Sequence, residues 1–272
     1  TCPHGLHGAT VALSFPSVGA TENILLAAVL AEGETVVVNA AREPEISDLA
    51  GYLNCCGARV SGAGESIIHI QGVSALRGCE YTVIPDRIVA ATMMAAAAIT
   101  GGNIMLRRVN IAHLSPVFPV FAEAGCEIAA GQDTVSIRRP GLLGPVRCVR
   151  TMPYPGFPTD AQAPAMAMAT VAAGTSMFIE NIFESRYKHA AELVRMGARI
   201  KVEGRVAVVE GVPSLYGASV EATDLRGGAA MVVAGLAAEG TTEIRGLHHI
   251  DRGYERLEEN LRRLGADIRR VE

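Results

Sequence analysis

The chain has 272 residues, room for one large domain or two modest ones, and its net charge of −4 gives no hint of the basic surface usual in a nucleic-acid binder. Apolar residues make up 49% but aromatics only 4%, with no Trp, so the core must rest on Ala, Val, Ile, Leu and Met. The longest apolar runs, such as 88–99, fall short of the roughly 20 residues a membrane helix needs, and no signal peptide is visible. Six cysteines (Cys2, Cys55, Cys56, Cys79, Cys126 and Cys148) follow neither disulfide-framework nor zinc spacing, which predicts free thiols in a reducing cytoplasm. The seven histidines lack metal-ligand spacing, so no metal and no cofactor are expected.

The chain begins at Thr1-Cys2-Pro3 without an initiator Met and runs at once into a strand-like Ala9-Thr10-Val11-Ala12-Leu13, as the middle of a longer protein would. From there one phrase recurs, a glycine followed by a short strand. Gly57-Ala58-Arg59-Val60, Gly125-Cys126-Glu127-Ile128, Gly197-Ala198-Arg199-Ile200 and Gly265-Ala266-Asp267-Ile268 stand 68, 72 and 68 residues apart. A fixed period of this length marks a supersecondary unit that stacks on copies of itself.

Each repeat reads alike in chain order. A strand leads through a polar loop into an Ala-rich helix stopped at Gly33, Gly101, Gly174 or Gly240. A β-branched strand follows, over 35–38, 103–106, 176–179 and 241–244. A second, amphipathic helix then runs to the signature glycine, most clearly over 254–264, where Leu257, Leu261 and Leu264 keep helical spacing. A hairpin closes the unit. Ser61-Gly62-Ala63-Gly64-Glu65-Ser66 precedes a strand, not a helix, so it reads as the hairpin turn, not a phosphate loop. The pattern βαβαββ defines an α/β protein. The last repeat stops at Glu272, short of its hairpin, which predicts a sheet completed from elsewhere.

Chemistry-bearing residues gather at the helix starts. First helices open at Ser17-Val18-Gly19, Pro85-Asp86-Arg87, Pro158-Thr159-Asp160 and Asp224-Leu225-Arg226. Second helices are expected to open at Arg42-Glu43, Arg107-Arg108, Glu184-Ser185-Arg186 and Asp251-Arg252-Gly253. Unpaired backbone N–H groups there favour anions, and an arginine fork beside them suits phosphate and carboxylate. Any one such seat also reads as an N-cap beside a surface ion pair. Repetition across units favours the anion reading, because capping does not require an arginine beside the cap.

Phe15-Pro16-Ser17-Val18-Gly19-Ala20-Thr21-Glu22-Asn23, with segments 39–46, 155–160 and 249–256, closely resembles the UDP-N-acetylglucosamine enolpyruvyl transferases, also called 1-carboxyvinyltransferases. The resemblance runs essentially the whole chain, and the shikimate-pathway relatives share the repeat but not these phrases. It implies a two-domain inside-out α/β barrel of six βαβαββ units, with the active site in the cleft between domains. Four units are present here. Residues 1–84 would be the last unit of one domain, and 85–272 a three-unit domain carrying Asp160 and the arginines. The implied N-terminal remainder would hold a Lys-Asn pair, further arginines and a mobile loop with the catalytic cysteine. None of the six cysteines stands in such a motif, and Cys55-Cys56, near the end of an apolar helix, reads as packing.

The resemblance implies transfer of the enolpyruvyl group of phosphoenolpyruvate to the 3′-hydroxyl of UDP-N-acetylglucosamine with release of phosphate, the first committed step of peptidoglycan synthesis. Such chemistry needs a base for the hydroxyl proton, cations for phosphate and carboxylate, and an acid for C3. Asp160 matches the base. Arg186 and Arg226 match residues that hold the carboxylate side of phosphoenolpyruvate, and Arg252 matches one near its phosphate. Glu184 and Asp224 would orient these guanidinium groups. Ser17, Val18 and Gly19 would offer N–H groups to the UDP diphosphate, and Ile182 a backbone contact to the sugar nucleotide. The partners implied are these two small molecules and the N-terminal remainder, with no nucleic acid and no membrane. Lacking the cysteine loop, the chain is expected to be inactive alone. A scaffold that only binds the nucleotide sugar and a shikimate-type transferase are the alternatives.

Overall fold

The computed structural model describes residues 5–271; Thr1, Cys2, Pro3, His4 and Glu272 lie outside the described residues. The chain divides into two compact units, Thr1–Ile84 with Pro153–Pro155, and Pro85–Met152 with Gly156–Glu272. The first unit is one complete repeat: β1 (Thr10–Ala12), α1 (Val18–Ala28), β2 (Glu34–Val38), α2 (Pro44–Cys55), β3 (Arg59–Ser61) and β4 (Ile67–Gln71). Its sheet runs β1-β2-β4-β3, with β1 parallel to β2 and the other pairs antiparallel. Period-2 alternation turns Val37, Ile68 and Ile70 inward, where Leu25, Ile46 and Leu53 of the two helices meet them. The glycine-rich turn is the hairpin turn, with Gly62 and Gly64 left-handed.

The second unit holds three repeats. The first of them contains α3 (Arg87–Thr100), β5 (Asn103–Arg107), α4 (Ile111–Leu114), α5 (Phe118–Glu123), β6 (Glu127–Ala130) and β7 (Thr134–Arg138). Next come β8 (Val149–Arg150), a 3-10 turn (Thr159–Ala161), α6 (Gln162–Ala169), β9 (Thr175–Ile179), α7 (Lys188–Arg195), β10 (Arg199–Glu203) and β11 (Val206–Glu210). The last contains β12 (Leu215–Tyr216), β13 (Ser219–Glu221), α8 (Leu225–Gly235), β14 (Ala238–Glu239), β15 (Glu243–Arg245), α9 (His248–Asp251) and α10 (Leu257–Arg263).

The sheet β8-β9-β11-β10 reproduces the order of the first unit, whereas β5-β7-β6 has no parallel edge strand among the described residues. The last repeat pairs β13 with β15 and β12 with β14, both parallel, and shows no closing hairpin among the described residues. The first helices of the three repeats, α3, α6 and α8, pack on one another at the centre. Every residue of α6 is buried, and the Ala and Met content of all three lets helices approach closely. This packing brings the starts of α6 and α8 together, which builds the site described below.

The four signature glycines share one physical cause. Each is left-handed, with φ of 100° at Gly57, 88° at Gly125, 94° at Gly197 and 97° at Gly265. Each follows a helix cap and closes the same pair of backbone bonds. Ala58 N–H reaches Leu53 O while Gly57 N–H reaches Asn54 O, and Cys126, Ala198 and Ala266 repeat this on Phe121, Leu193 and Leu261. That is the Schellman arrangement, which requires a residue free of the Cβ penalty.

Three expectations are corrected. Gly101 caps α3, but Gly33, Gly174 and Gly240 are not helix caps. Their helices end earlier, capped by Val29, Thr170 and Leu236 in right-handed conformation, and the glycines instead turn the chain toward the next strand. The second helix after β5 is broken into α4 and α5, because Pro119 cannot continue a helix and sits instead in the first turn of α5. The helix expected over 254–264 shortens to α10, and Asp251-Arg252-Gly253 forms the end of α9.

Candidate active site

Asp160 is held by two arginines contributed by other segments of the second unit. It stands in the 3-10 turn before α6, and its side chain caps no helix. Pro164 falls in the first turn of α6, where no intrahelical N–H bond is required. Arg186 Nη2 donates to Asp160 Oδ1, and Arg226 donates to Oδ2 from Nη2 at 2.9 Å and from Nε at 3.1 Å. The guanidinium groups are largely buried, with 20% of the Arg186 side chain and 12% of Arg226 exposed, while Asp160 keeps 37% open to solvent. The acid therefore faces outward from a cationic floor.

Each arginine has further support. Arg186 lies 5.1 Å from the ring centre of Phe183, and Arg226 lies 5.5 Å from that of Tyr254. The Tyr254 hydroxyl is 2.9 Å from the Thr92 hydroxyl of α3. Burial works against the Arg226 charge, but Asp160 and Tyr254 outweigh it and hold the guanidinium above its usual range. Arg186 Nε and Arg226 Nη1 are buried without a partner. Such orphan donors are rare in an interior and mark a place for an acceptor.

Asp224 Oδ1 accepts from the N–H groups of Arg226 at 3.0 Å and Gly227 at 2.8 Å, capping α8. It thus fixes the backbone that carries Arg226, not the guanidinium, contrary to expectation. Glu184 is exposed and makes no hydrogen bond or ion pair among the described residues. Both guanidinium groups are oriented by Asp160 itself.

Glu180 is the residue that sequence reasoning missed. It is 1% exposed, yet its carboxylate accepts from Thr151 Oγ1 and Thr159 Oγ1 at 2.9 Å each, and from the N–H groups of Ile182 at 2.8 Å and Phe183 at 3.1 Å. Four donors satisfy the buried charge and tie the end of β8, the turn bearing Asp160 and the loop bearing Arg186 into one frame. The signal was present: Ser176, Phe178 and Glu180 form one inward-facing period-2 set. Burial, with Glu180 adding, pushes the neighbouring Tyr187 hydroxyl up to about 12. On α7, His189 is buried with neither ring nitrogen partnered. Burial lowers it to about 4, nearby Arg186 adds to the drop, and Asp224 opposes it.

Arg252 is exposed at the cap of α9 and makes no hydrogen bond or ion pair among the described residues. It does not join the Asp160 cluster. Its chain segment nonetheless runs against the start of α8, where a Cβ on Gly253 would meet Leu225 at 2.9 Å. The backbone N–H of Ile182 is taken by Glu180.

In the first unit, Ser17 caps α1, its Oγ accepting from Ala20 N–H at 3.3 Å. The N–H groups of Val18 and Gly19 make no hydrogen bond among the described residues, and a Cβ on Gly19 would meet nothing within 4 Å. This leaves two open donors at the start of an 11-residue helix.

A sequence profile of the EPSP synthase (3-phosphoshikimate 1-carboxyvinyltransferase) family matches residues 3–261. The chain is 54% identical over 268 residues to UDP-N-acetylglucosamine 1-carboxyvinyltransferase 2 of Carboxydothermus hydrogenoformans, covering 98% of this chain and 64% of that protein. It is 56% identical over 269 residues to UDP-N-acetylglucosamine 1-carboxyvinyltransferase 1 of Symbiobacterium thermophilum, covering 99% of this chain and 61% of that protein. Among solved structures, the enolpyruvyl transferase NikO from Streptomyces tendae superposes with a TM-score of 0.87 at 29% identity, over 98% of this chain and 66% of that one. EPSP synthase from Acinetobacter baumannii gives 0.71 at 25% identity, over 98% and 64%. The chain thus spans somewhat under two thirds of the length of these curated relatives.

Proposed function

This chain belongs to the EPSP synthase (3-phosphoshikimate 1-carboxyvinyltransferase) family, and from that premise we propose that it takes part in moving the enolpyruvyl group of phosphoenolpyruvate to the 3′-hydroxyl of UDP-N-acetylglucosamine. The reaction would be the first committed step of peptidoglycan synthesis. The choice of acceptor is supported by identities of 54% and 56% to proteins named for that acceptor, against 25% to the EPSP synthase structure. Exposed free thiols at Cys55 and Cys148 favour a cytoplasmic setting.

The observation that carries the reading is the Asp160 carboxylate held by two largely buried guanidinium groups that still have unpaired N–H donors. In the proposal, the carboxylate of phosphoenolpyruvate takes Asp160's place on Arg186 and Arg226 and releases Asp160 to act as base. Asp160 accepts the hydroxyl proton, the acceptor oxygen bonds to C2, and C3 takes a proton. Loss of a C3 proton then breaks the bond from C2 to the phosphate oxygen. Arg252 meets the phosphate, the Ser17–Gly19 helix start meets the diphosphate, and Ile182 touches the sugar nucleotide through its carbonyl, its N–H being engaged. The acid for C3 is assigned to no residue of this chain.

The test is phosphate release from phosphoenolpyruvate, measured on the chain alone and on the chain joined to the N-terminal third of the Carboxydothermus hydrogenoformans relative. Turnover of the joined protein with UDP-N-acetylglucosamine, but not with shikimate 3-phosphate, is expected, and negligible release by the chain alone. Preference for shikimate 3-phosphate would replace the acceptor. Tight binding of both substrates without turnover in the joined protein would support the scaffold reading.

A further inference from the structure

Among the described residues, the first unit carries three thiols that the proposed chemistry does not use. Cys55 and Cys56 close α2, and the chain after β4 doubles back over that helix end. Several contacts seat the returning segment. Arg77 N–H donates to Cys56 O at 2.8 Å, Cys55 Sγ donates to Glu80 O at 3.5 Å, and the Tyr81 hydroxyl donates to the Asp48 carboxylate at 3.0 Å. Tyr81 meets the Tyr52 ring edge-on, with centroids 5.7 Å apart. Gly51, in the middle of α2, makes room for it, since a Cβ there would lie 2.7 Å from the Tyr81 hydroxyl oxygen. A glycine inside a helix is unfavourable by about 1 kcal/mol, so this one marks a built seat, not a chance crossing.

Cys79 sits at the middle of that seat. Its Sγ is 3.5 Å from Cys56 Sγ, and the three thiols grade from exposed Cys55 through half-buried Cys79 to buried Cys56. We propose that Cys79 and the Cys55-Cys56 pair form a peroxide-responsive thiol site, in which oxidation joins Cys79 to Cys56 as a disulfide. A disulfide needs sulfurs at about 2.05 Å, so closing the present contact takes a shift of roughly 1.5 Å, within reach of side-chain rotation. Hydrogen peroxide reaches exposed Cys55 first. The Cys55 thiolate attacks the O–O bond, giving a sulfenic acid and water. Cys79 displaces the second oxygen as water, and Cys56 then exchanges into the bond and restores the Cys55 thiol. In sum, two thiols lose two electrons and two protons, and peroxide leaves as two waters.

Hydrogen bonding to its neighbouring thiols and burial push Cys79 up to about 12, so the step gains speed as pH rises. The product would fasten residues 77–81, the last stretch of the first unit before Pro85, across the end of α2. It would close a loop between positions 23 residues apart.

The experiment treats the 272-residue chain with stoichiometric hydrogen peroxide at pH 8, folded and in guanidinium, and follows intact mass and free thiols. The folded chain is expected to lose about 2 Da and two thiols, at least roughly tenfold faster than the denatured chain. Peptide mapping after alkylation should find Cys79 linked within the Cys55-Cys56 peptide. Cys55→Ser should slow formation, and Cys56→Ser should trap a Cys55–Cys79 link. Cys79→Ser, checked by circular dichroism to be folded, should give only oxygen addition on Cys55. Three results would overturn the proposal: oxygen addition without mass loss in the unsubstituted chain, a disulfide through Cys2, Cys126 or Cys148, or equal rates with and without guanidinium.

Discussion

Lowering the pH from 7 to 5 should destabilise the second unit through one buried side chain, His189. The ring is 1% exposed, both nitrogens lack partners, and its immediate charged neighbours are Arg186, which opposes protonation, and Asp224, which favours it. Burial dominates, so the folded state keeps the ring neutral down to about 4, whereas the unfolded chain takes up a proton near 6.5. Below 6.5 the unfolded state therefore binds more protons, and stability falls as pH falls until about pH 4, where the folded state titrates as well. The full displacement amounts to about 3.4 kcal/mol, of which about 1.8 kcal/mol appears between pH 7 and pH 5. Urea denaturation followed by far-ultraviolet circular dichroism, at both pH values, measures it on the unsubstituted chain and on His189→Gln, which cannot titrate. Carboxylate effects are common to both proteins and cancel in the comparison. If His189→Gln loses as much stability between pH 7 and pH 5 as the unsubstituted chain, the ring is not held neutral by burial and the reasoning fails.

Glu180→Ala should lower the stability of the second unit by about 3 kcal/mol, read as a drop in melting temperature, because four donors lose their acceptor in a dry site. An unchanged melting temperature would mean that water replaces the carboxylate. Gly211→Ala should be more severe still, with no cooperative melt of the second unit, since its Cβ would lie 1.6 Å from Ala172 O. Gly72 in the first unit meets Ala31 O at the same 1.6 Å, and Gly72→Ala should behave alike. Gly125→Ala has open space, with its nearest atom at 3.7 Å, so only the left-handed backbone penalty of about 1 kcal/mol applies, measurable by urea midpoint. Asp160→Asn should bind phosphoenolpyruvate at least as tightly as the unsubstituted chain by calorimetry, since one competitor for Arg186 and Arg226 is weakened. The joined protein carrying it should lose most of its turnover. Weaker binding would show that Asp160 supports, and does not compete for, the anion.

The repeat was legible because its cause is local. A Schellman cap needs a left-handed residue just past the helix, so Gly57, Gly125, Gly197 and Gly265 carry the period of the fold in plain view. Ser17 and Asp224 were legible as helix starts for the same reason, since capping acts within three residues. Gly33, Gly174 and Gly240 misled because a left-handed glycine also serves in the turn into a strand, and periodicity alone does not say where the helix has already ended.

The partners of the charged groups were another matter. By itself the sequence established an α/β chain of repeated units, and placed Asp160, Arg186 and Arg226 at helix starts where anions are favoured. Only the packing of α6 against α8 decided that Asp160 meets Arg226 across 66 residues, that Asp224 serves the backbone instead, and that Arg252 stands apart. Glu180 needed both kinds of information: its parity along the strand turns it inward, but its four donors come from three separate segments. Backbone caps are settled by residues three or four apart, and so are written in the sequence. A carboxylate's choice among guanidinium groups depends on distances of a few ångströms between segments far apart in the chain, and those distances exist only once the core has packed.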